Sequence, residues 1–383
     1  MQVPLLDINR QHADIKDELT RVFTDALSTS RFIKGPEMNA FENEFAEYSG
    51  TADAIACASG TDALILALQA VGLKRDELVI TVPFTFFATA GSIVRAGGTP
   101  VFIDILPDTF NMDPDLLEEW LNTNCAITDR GVVHKGTAKR VAAIMPVHIF
   151  GQICNMDAIN STASNWNLPV VEDAAQAAGA KWRQTRAGST GTVGCFSFFP
   201  SKNLGALGDG GILTTNDLKL AERLRSLREH GGKGYLHSEV GTNSRMDAIQ
   251  AGFLRVKLRK LEQWHAGRRA NAERYAKAFT DLPQIKTPAI DPRAWSIYNQ
   301  YTVLAENRDE LLAFLRNKQI GCAVYYPLPL HLQQCFADLG YSKGDFRVAE
   351  DTSEKVISLP VFGELTGEEQ NEVIKAIREF YQK

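Results

Sequence analysis

CFSFFPSKNLGALGDGG, residues 195–211, decides how this chain is read. The apolar run Cys195 to Phe199 has the composition of a buried strand, and Pro200 stops it. Ser201 and Lys202 come at once after it, and Gly205, Gly208, Gly210 and Gly211 then remove almost all side-chain bulk. A lysine at a strand's end is ordinarily a solvated charge. Where glycines clear room for a flat ligand or another backbone, it can instead be a nucleophilic amine whose pKa its surroundings depress. The glycines form no dinucleotide fingerprint, since no G-x-G-x-x-G follows a strand, and no G-x-x-x-x-G-K-[ST] phosphate loop occurs.

Outward from that stretch, residues 50–215 alternate β-branched runs with helical ones. DAIACAS (53–59), ELVITVP (77–83), TPVFIDI (99–105), RVAAIMPV (140–147), LPVVED (168–173), GCFSFF (194–199) and GGILTT (210–215) read as strands. TDALILALQAVG (61–72), closed by Gly72, FFATAGSIVRAG (86–97) and Asn111–Asn122, with Asp113 as cap and Pro114 at the first position, read as helices. Strands separated by helices predict an α/β fold with a mostly parallel sheet covered on both faces, and ligands at the strands' carboxyl ends. Residues 121–139 read as a polar surface excursion. After Gly234 the texture changes. Arg245 to Tyr275 reads as one long basic helix, RDELLAFLRNKQIGCAVYY (308–326) as a helix and then a strand, and two further helices close the chain. The expected division is a large domain, residues 1–235, and a smaller C-terminal α+β domain, residues 236–383. Helices over 14–28 and 36–48 are expected outside the sheet or at a subunit contact.

Composition narrows the functional classes. The 383 residues are 44% hydrophobic and 23% charged, with a formal net charge of −5, which gives no reason to expect nucleic acid or an anionic membrane surface. No run approaches the roughly 18 apolar residues of a membrane span. The N-terminus MQVPLLDINRQHADIKDEL carries acids where a signal peptide needs a cationic start and an apolar core, so a cytoplasmic protein is expected. Six cysteines without a CxxC and seven histidines without an HxxxH predict reduced thiols and no structural metal.

Three strand ends carry chemistry. Ser59, Gly60 and Thr61 in ASGTDAL offer hydroxyls and open amides at a helix N-terminus, which suits phosphate and equally an ordinary N-cap. VVEDAAQAAGA (170–180) delivers Glu172 and Asp173, which could hold a pyridinium or an amide, or cap the next segment. SFFPSKNLGALGDGG adds Lys202, with Ser197 five residues before it. Phosphate cup, carboxylate and lysine on one parallel sheet together meet the needs of pyridoxal 5′-phosphate: the cup for the phosphate, the acid for the ring nitrogen, the amine for the imine. PFTFFAT (83–89) offers an aromatic ring to stack on the cofactor, or core phenylalanines. His148 at a strand end reads as a pocket residue or a satisfied core histidine, and His230 as a structural cap.

These motifs, with GTNSRMDAIQA and the C-terminal SLPVF (358–362), resemble end to end the DegT/DnrJ/StrS family of sugar-nucleotide aminotransferases, fold-type-I pyridoxal phosphate enzymes. The resemblance implies that Lys202 carries the Schiff base and Asp173 pairs with the pyridine nitrogen. It places Gln176 near the ring hydroxyl, Gly60, Thr61 and Ser197 on the phosphate, and Phe86 on the ring. Asn243 would reach the phosphate of a neighbouring subunit, so a homodimer with shared sites is expected. The text N-S-R-M-D is similar to the enzymes that aminate a 3-keto sugar nucleotide, with L-glutamate as donor and a pyridoxamine phosphate intermediate. Arg245, Tyr325 and His331 would then face the substrate. Tyr325 stands where relatives usually have histidine, and residues 121–139 are longer than in the 3-amino branch, so a 4-keto substrate is the alternative. The family's dehydratases carry histidine in place of Lys202, which argues against that activity. A non-catalytic regulator on the same fold would have no need of the lysine.

Overall fold

The computed structural model describes residues 1–382. Seven strands form the sheet at its centre: β1 (Asp53–Cys57), β2 (Leu78–Thr81), β3 (Thr99–Phe102), β4 (Val141–Ile144), β5 (Val171–Asp173), β6 (Val193–Ser197) and β7 (Gly211–Thr215). Ladders join β3-β2-β4 and β5-β6-β7-β1, and the parallel bridges Ile144–Val170 and Val147–Asp173 connect the two sets. The spatial order is therefore 3-2-4-5-6-7-1. Only β7 runs against its neighbours, β6 and β1. The mostly parallel sheet expected from the alternation is the sheet observed. Its strands are buried almost throughout, as runs of Val, Ile and Ala covered on both faces must be.

Local signals account for the helices between the strands. Ser59 accepts the Asp62 N–H at 3.1 Å and opens the helix Gly60–Ala70, while Asp113 caps Pro114–Asn124 from the Asp115 and Leu116 amides. The helix Pro36–Ser49 lies against β1 and against Ala248–Leu258, outside the sheet. A second core gathers Tyr275, Tyr301, Leu311, Ile357, Val373 and Ile377 around an antiparallel sheet of β8 (Ile285–Lys286), β9 (Tyr301–Ala305) and β10 (Val356–Leu359), in the order 8-9-10. Met246, Phe253, Leu261 and Trp264 pack into the first core, whereas Ala272 and Phe279 pack into the second. The helix Leu261–Ala278 thus bridges the two. No helix among the described residues is long and apolar enough to cross a membrane.

Three expectations are corrected. Residues 121–139 hold a hairpin, Cys125–Thr128 paired with Gly131–His134, whose Val132 and Val133 are buried. The long basic helix breaks at Arg259–Lys260 into Ala248–Leu258 and Leu261–Ala278, with no proline or glycine to announce it. Residues 320–326 form no strand, only bridges from Ile320 to Val3 and from Ala323 to Ser358. The N-terminal segment occupies that edge: a Cβ on Gly321 would stand 2.3 Å from the Leu5 nitrogen.

Candidate active site

The carboxyl ends of β1, β2, β4, β5 and β6 open on one side of the sheet, where a cavity of about 520 Å³ lies. Its wall includes Gly60, Thr61, Phe86, Asp173, Gln176, Ser197, Lys202 and Tyr325. Residues far apart in sequence are thus brought together by strand order.

Pleating separates the two acids of VVEDAA. Asp173 faces the cavity; Glu172 points to the opposite face. There Glu172 accepts the amides of Gly188, Thr190 and Gly191 and a bond from His148 Nε2 at 2.8 Å. Burial would raise its carboxyl, but His148 and those amides outweigh burial and hold it below the ordinary range. His148 is fully buried and its Nδ1 accepts the Cys154 N–H at 3.2 Å, so it is the satisfied core histidine. Asp173 has fewer donors: Thr89 Oγ1 at 2.7 Å and the Ala175 amide at 3.2 Å. Burial raises its carboxyl, against Thr89, Ala175 and the attraction of Lys202 and His148.

Lys202 leaves β6 through the turn that Pro200 begins, its N–H bonded to the Phe199 carbonyl. Burial pushes its ammonium from 10.5 down to about 8, with Asp173 pulling the other way. No hydrogen bond or ion pair to another described residue engages the amine. A desolvated amine and a desolvated carboxylate without a bonded cation share one cavity. That is the complement of an aldehyde and a protonated heterocyclic nitrogen.

The cup is tight. A Cβ on Gly60 would lie 2.5 Å from the Ser197 Cβ, and one on Gly211 would lie 2.4 Å from the Ser59 carbonyl. Only backbone therefore fits where the helix N-terminus, β6 and β7 converge, and the helix amides stay open to an anion. Phe86 is 56% exposed with its ring at the cavity mouth, 6.2 Å from Tyr326. Gln176 Oε1 accepts the Phe150 N–H at 2.7 Å and Nε2 donates to the Tyr326 hydroxyl at 2.8 Å. These residues fit pyridoxal phosphate.

Three expected residues lie elsewhere in this chain. Asn243 is exposed, bridged to Glu229 through its backbone, and does not line the cavity. Arg245 is half-buried with Nε sealed and unpartnered. Between them Ser244 is buried, donating to Asp62 at 2.8 Å and accepting the Ala58 amide at 3.3 Å. His331 does not line the cavity of its own chain: its ring is bonded to Glu350 at 3.0 Å and packed edge-on to Phe346. Thr89, Gln300 and Tyr326 line the cavity although sequence reasoning does not pick them out. Only Thr89 leaves a trace, the four-residue spacing from Thr85 in PFTFFAT, where the two hydroxyls meet at 3.0 Å.

The DegT/DnrJ/EryC1/StrS aminotransferase family matches residues 13–378. A "pleiotropic regulatory protein" of Geobacillus stearothermophilus is 45% identical, covering 100% of this chain and 99% of the relative. The UDP-2-acetamido-2-deoxy-3-oxo-D-glucuronate aminotransferase of Pseudomonas aeruginosa is 39% identical over 94% of this chain and 95% of its own. The structure of S. venezuelae DesV in complex with a ketimine intermediate aligns with a TM-score of 0.93 and 37% identity, over 100% of this chain and 99% of that one. With a family match over nearly the whole chain and a cavity that holds lysine and acid together, this chain belongs to the DegT/DnrJ/EryC1/StrS aminotransferase family, whose members use pyridoxal phosphate.

Proposed function

We propose that this chain transfers an amino group from L-glutamate to the 3-keto carbon of a nucleotide-linked sugar. One observation carries the transamination: a Lys202 amine lowered to about 8 shares a cavity with the buried Asp173, to which no cation is hydrogen-bonded. The choice of the 3-position rests on the text N-S-R-M-D around Asn243 and on the 3-oxo sugar named for the Pseudomonas relative. A 4-keto sugar is the second reading, left open because Tyr325 stands where relatives usually have histidine.

Pyridoxal phosphate, when bound, supplies an aldehyde for amine exchange and a ring that takes up an electron pair. Asp173 holds the proton on the ring nitrogen, and Thr89 orients that carboxylate. With the cofactor in place, the Lys202 amine would take up and return the proton at the substrate carbon; such acid–base work contributes about 10²–10⁴ in rate. Gly60, Thr61 and Ser197 would hold the phosphate, Phe86 would pack on the ring and Gln176 would lie near its hydroxyl. Tyr325 and Arg245 meet the sugar. Asn243, exposed and outside its own chain's cavity, reaches the phosphate of a second copy in a homodimer.

The test is a single turnover of the pyridoxamine form with a panel of 3-keto and 4-keto nucleotide sugars. Loss of the amine form with 3-keto sugars is expected; loss with 4-keto sugars alone would overturn the position. The regulator reading, which the name of the Geobacillus relative favours, would require that no sugar discharge the amine. Shared sites predict that mixing Lys202→Ala with Asn243→Ala protein restores part of the activity, and no rescue would refute sharing.

A further inference from the structure

A second, smaller cavity of about 60 Å³ adjoins the first, sharing Ser201, Gln300 and Tyr325 with it. Leu5 and Leu6 close one side, and Arg268 forms part of its wall. Arg268 is only 3% exposed. Its Nη1 donates to the carbonyls of Tyr298 at 3.0 Å and Asn299 at 3.3 Å. Its Nε is sealed without a partner, and no bond to a described residue engages Nη2. No carboxylate among the described residues pairs with it; Glu364 acts on it only from a distance. Two carbonyls offer partial dipoles where a buried guanidinium needs a full counter-charge. Burial accordingly lowers even this group, to about 10.

The missing partner is an anion, and the space bounds its size. The cavity is several times the ~10–15 Å³ that one water needs, enough for a carboxylate and too little for a hexose or a nucleotide. An amino-acid donor carries a carboxylate one bond from its reacting carbon, so a cation serving it belongs beside the main cavity, where Arg268 stands. Building on the aminotransferase reading above, we infer that Arg268 binds a carboxylate of the amino-acid donor through the side cavity. The amino-acid half-reaction and the sugar half-reaction then draw on different parts of one site: the donor on Arg268, the sugar on the main cavity.

The experiment separates the halves in the holoenzyme. Arg268→Met removes the charge, and Leu6→Phe fills the side cavity while leaving Arg268 in place, which covers the case in which Arg268→Met fails to fold. In single turnovers each variant is expected to need about 10- to 100-fold more L-glutamate for half-maximal conversion, the range for a lost charge-assisted hydrogen bond. The sugar half-reaction should stay within about threefold on the same scale. Glutarate, read by thermal shift without turnover, should stabilise the wild type and not the variants. Unchanged glutamate dependence, an equal loss in both halves, or stabilisation by chloride but not by glutarate would overturn the inference. Glutarate binding through Arg268 in a protein that aminates no keto sugar would overturn the functional reading and leave this one standing.

Discussion

Replacing Lys202 with methionine should make the cofactor-free protein more stable at neutral pH, because the site holds this amine against its preferred charge state. Burial lowers the ammonium from 10.5 to about 8, the attraction of Asp173 being the smaller effect. The unfolded chain keeps the ordinary value. Between about pH 8 and 10.5 it therefore holds a proton that the folded chain has released, and stability rises with pH across that window. Below about 8 the penalty is present in full, about 3 kcal/mol at 1.36 kcal/mol per pKa unit. Methionine keeps most of the aliphatic stem and carries no charge. The attraction of Asp173 is already contained in the lowered value, so the net gain stays about 3 kcal/mol. Urea midpoints of wild type and variant, taken from about pH 6 to 10, should differ most at the acid end and converge toward pH 10. A difference independent of pH, or a wild type more stable than the variant at pH 7, would refute the reasoning. The same depression serves reactivity: at pH 7 about a tenth of such amines are neutral, against about three in ten thousand for an ordinary lysine.

Gly60→Ala should lower cofactor retention and cost about 1–3 kcal/mol in urea, because its Cβ must displace Ser197 from 2.5 Å; unaltered retention on dialysis would show that the cup gives way. Glu172→Gln should cost about 2–4 kcal/mol, since an amide presents N–H groups to the donors at Gly188, Thr190, Gly191 and His148. Glu172 is held below its ordinary value, so its contribution is present above the unfolded carboxyl range and disappears as pH falls through the folded value; the gap in urea midpoint between wild type and this variant should shrink on acidification. Thr89→Val removes the 2.7 Å donor to Asp173 and should weaken pyridoxal phosphate binding about tenfold in an absorbance titration. An equal affinity would free Thr89 of any part in holding the acid.

Much of this architecture is readable without coordinates. Most central strands are short, largely apolar runs between turn residues, and helix starts carry their own caps, as at Ser59 and Asp113. Lys202, Asp173, Gly60 and Ser197 stand out because they sit at the ends of such runs, where a parallel sheet gathers ligands. Other features are set at long range. The hairpin at 125–134, the break at Arg259–Lys260 and the edge at 320–326, taken by the N-terminal segment, leave no mark on local periodicity.

The sequence by itself therefore determined the α/β alternation, the caps, and the set of residue types able to serve the cofactor. Only the tertiary structure decided that Glu172 turns to buried amides on the opposite face, that His331 bonds Glu350, that Tyr326 and Gln300 enter the wall, and that Arg268 lies buried without a counter-charge. The physical reason is that caps and periodicity act over a few residues. Desolvation and hydrogen-bond partnership instead depend on neighbours that only folding brings within reach, as Gln176 and Tyr326 show across 150 positions.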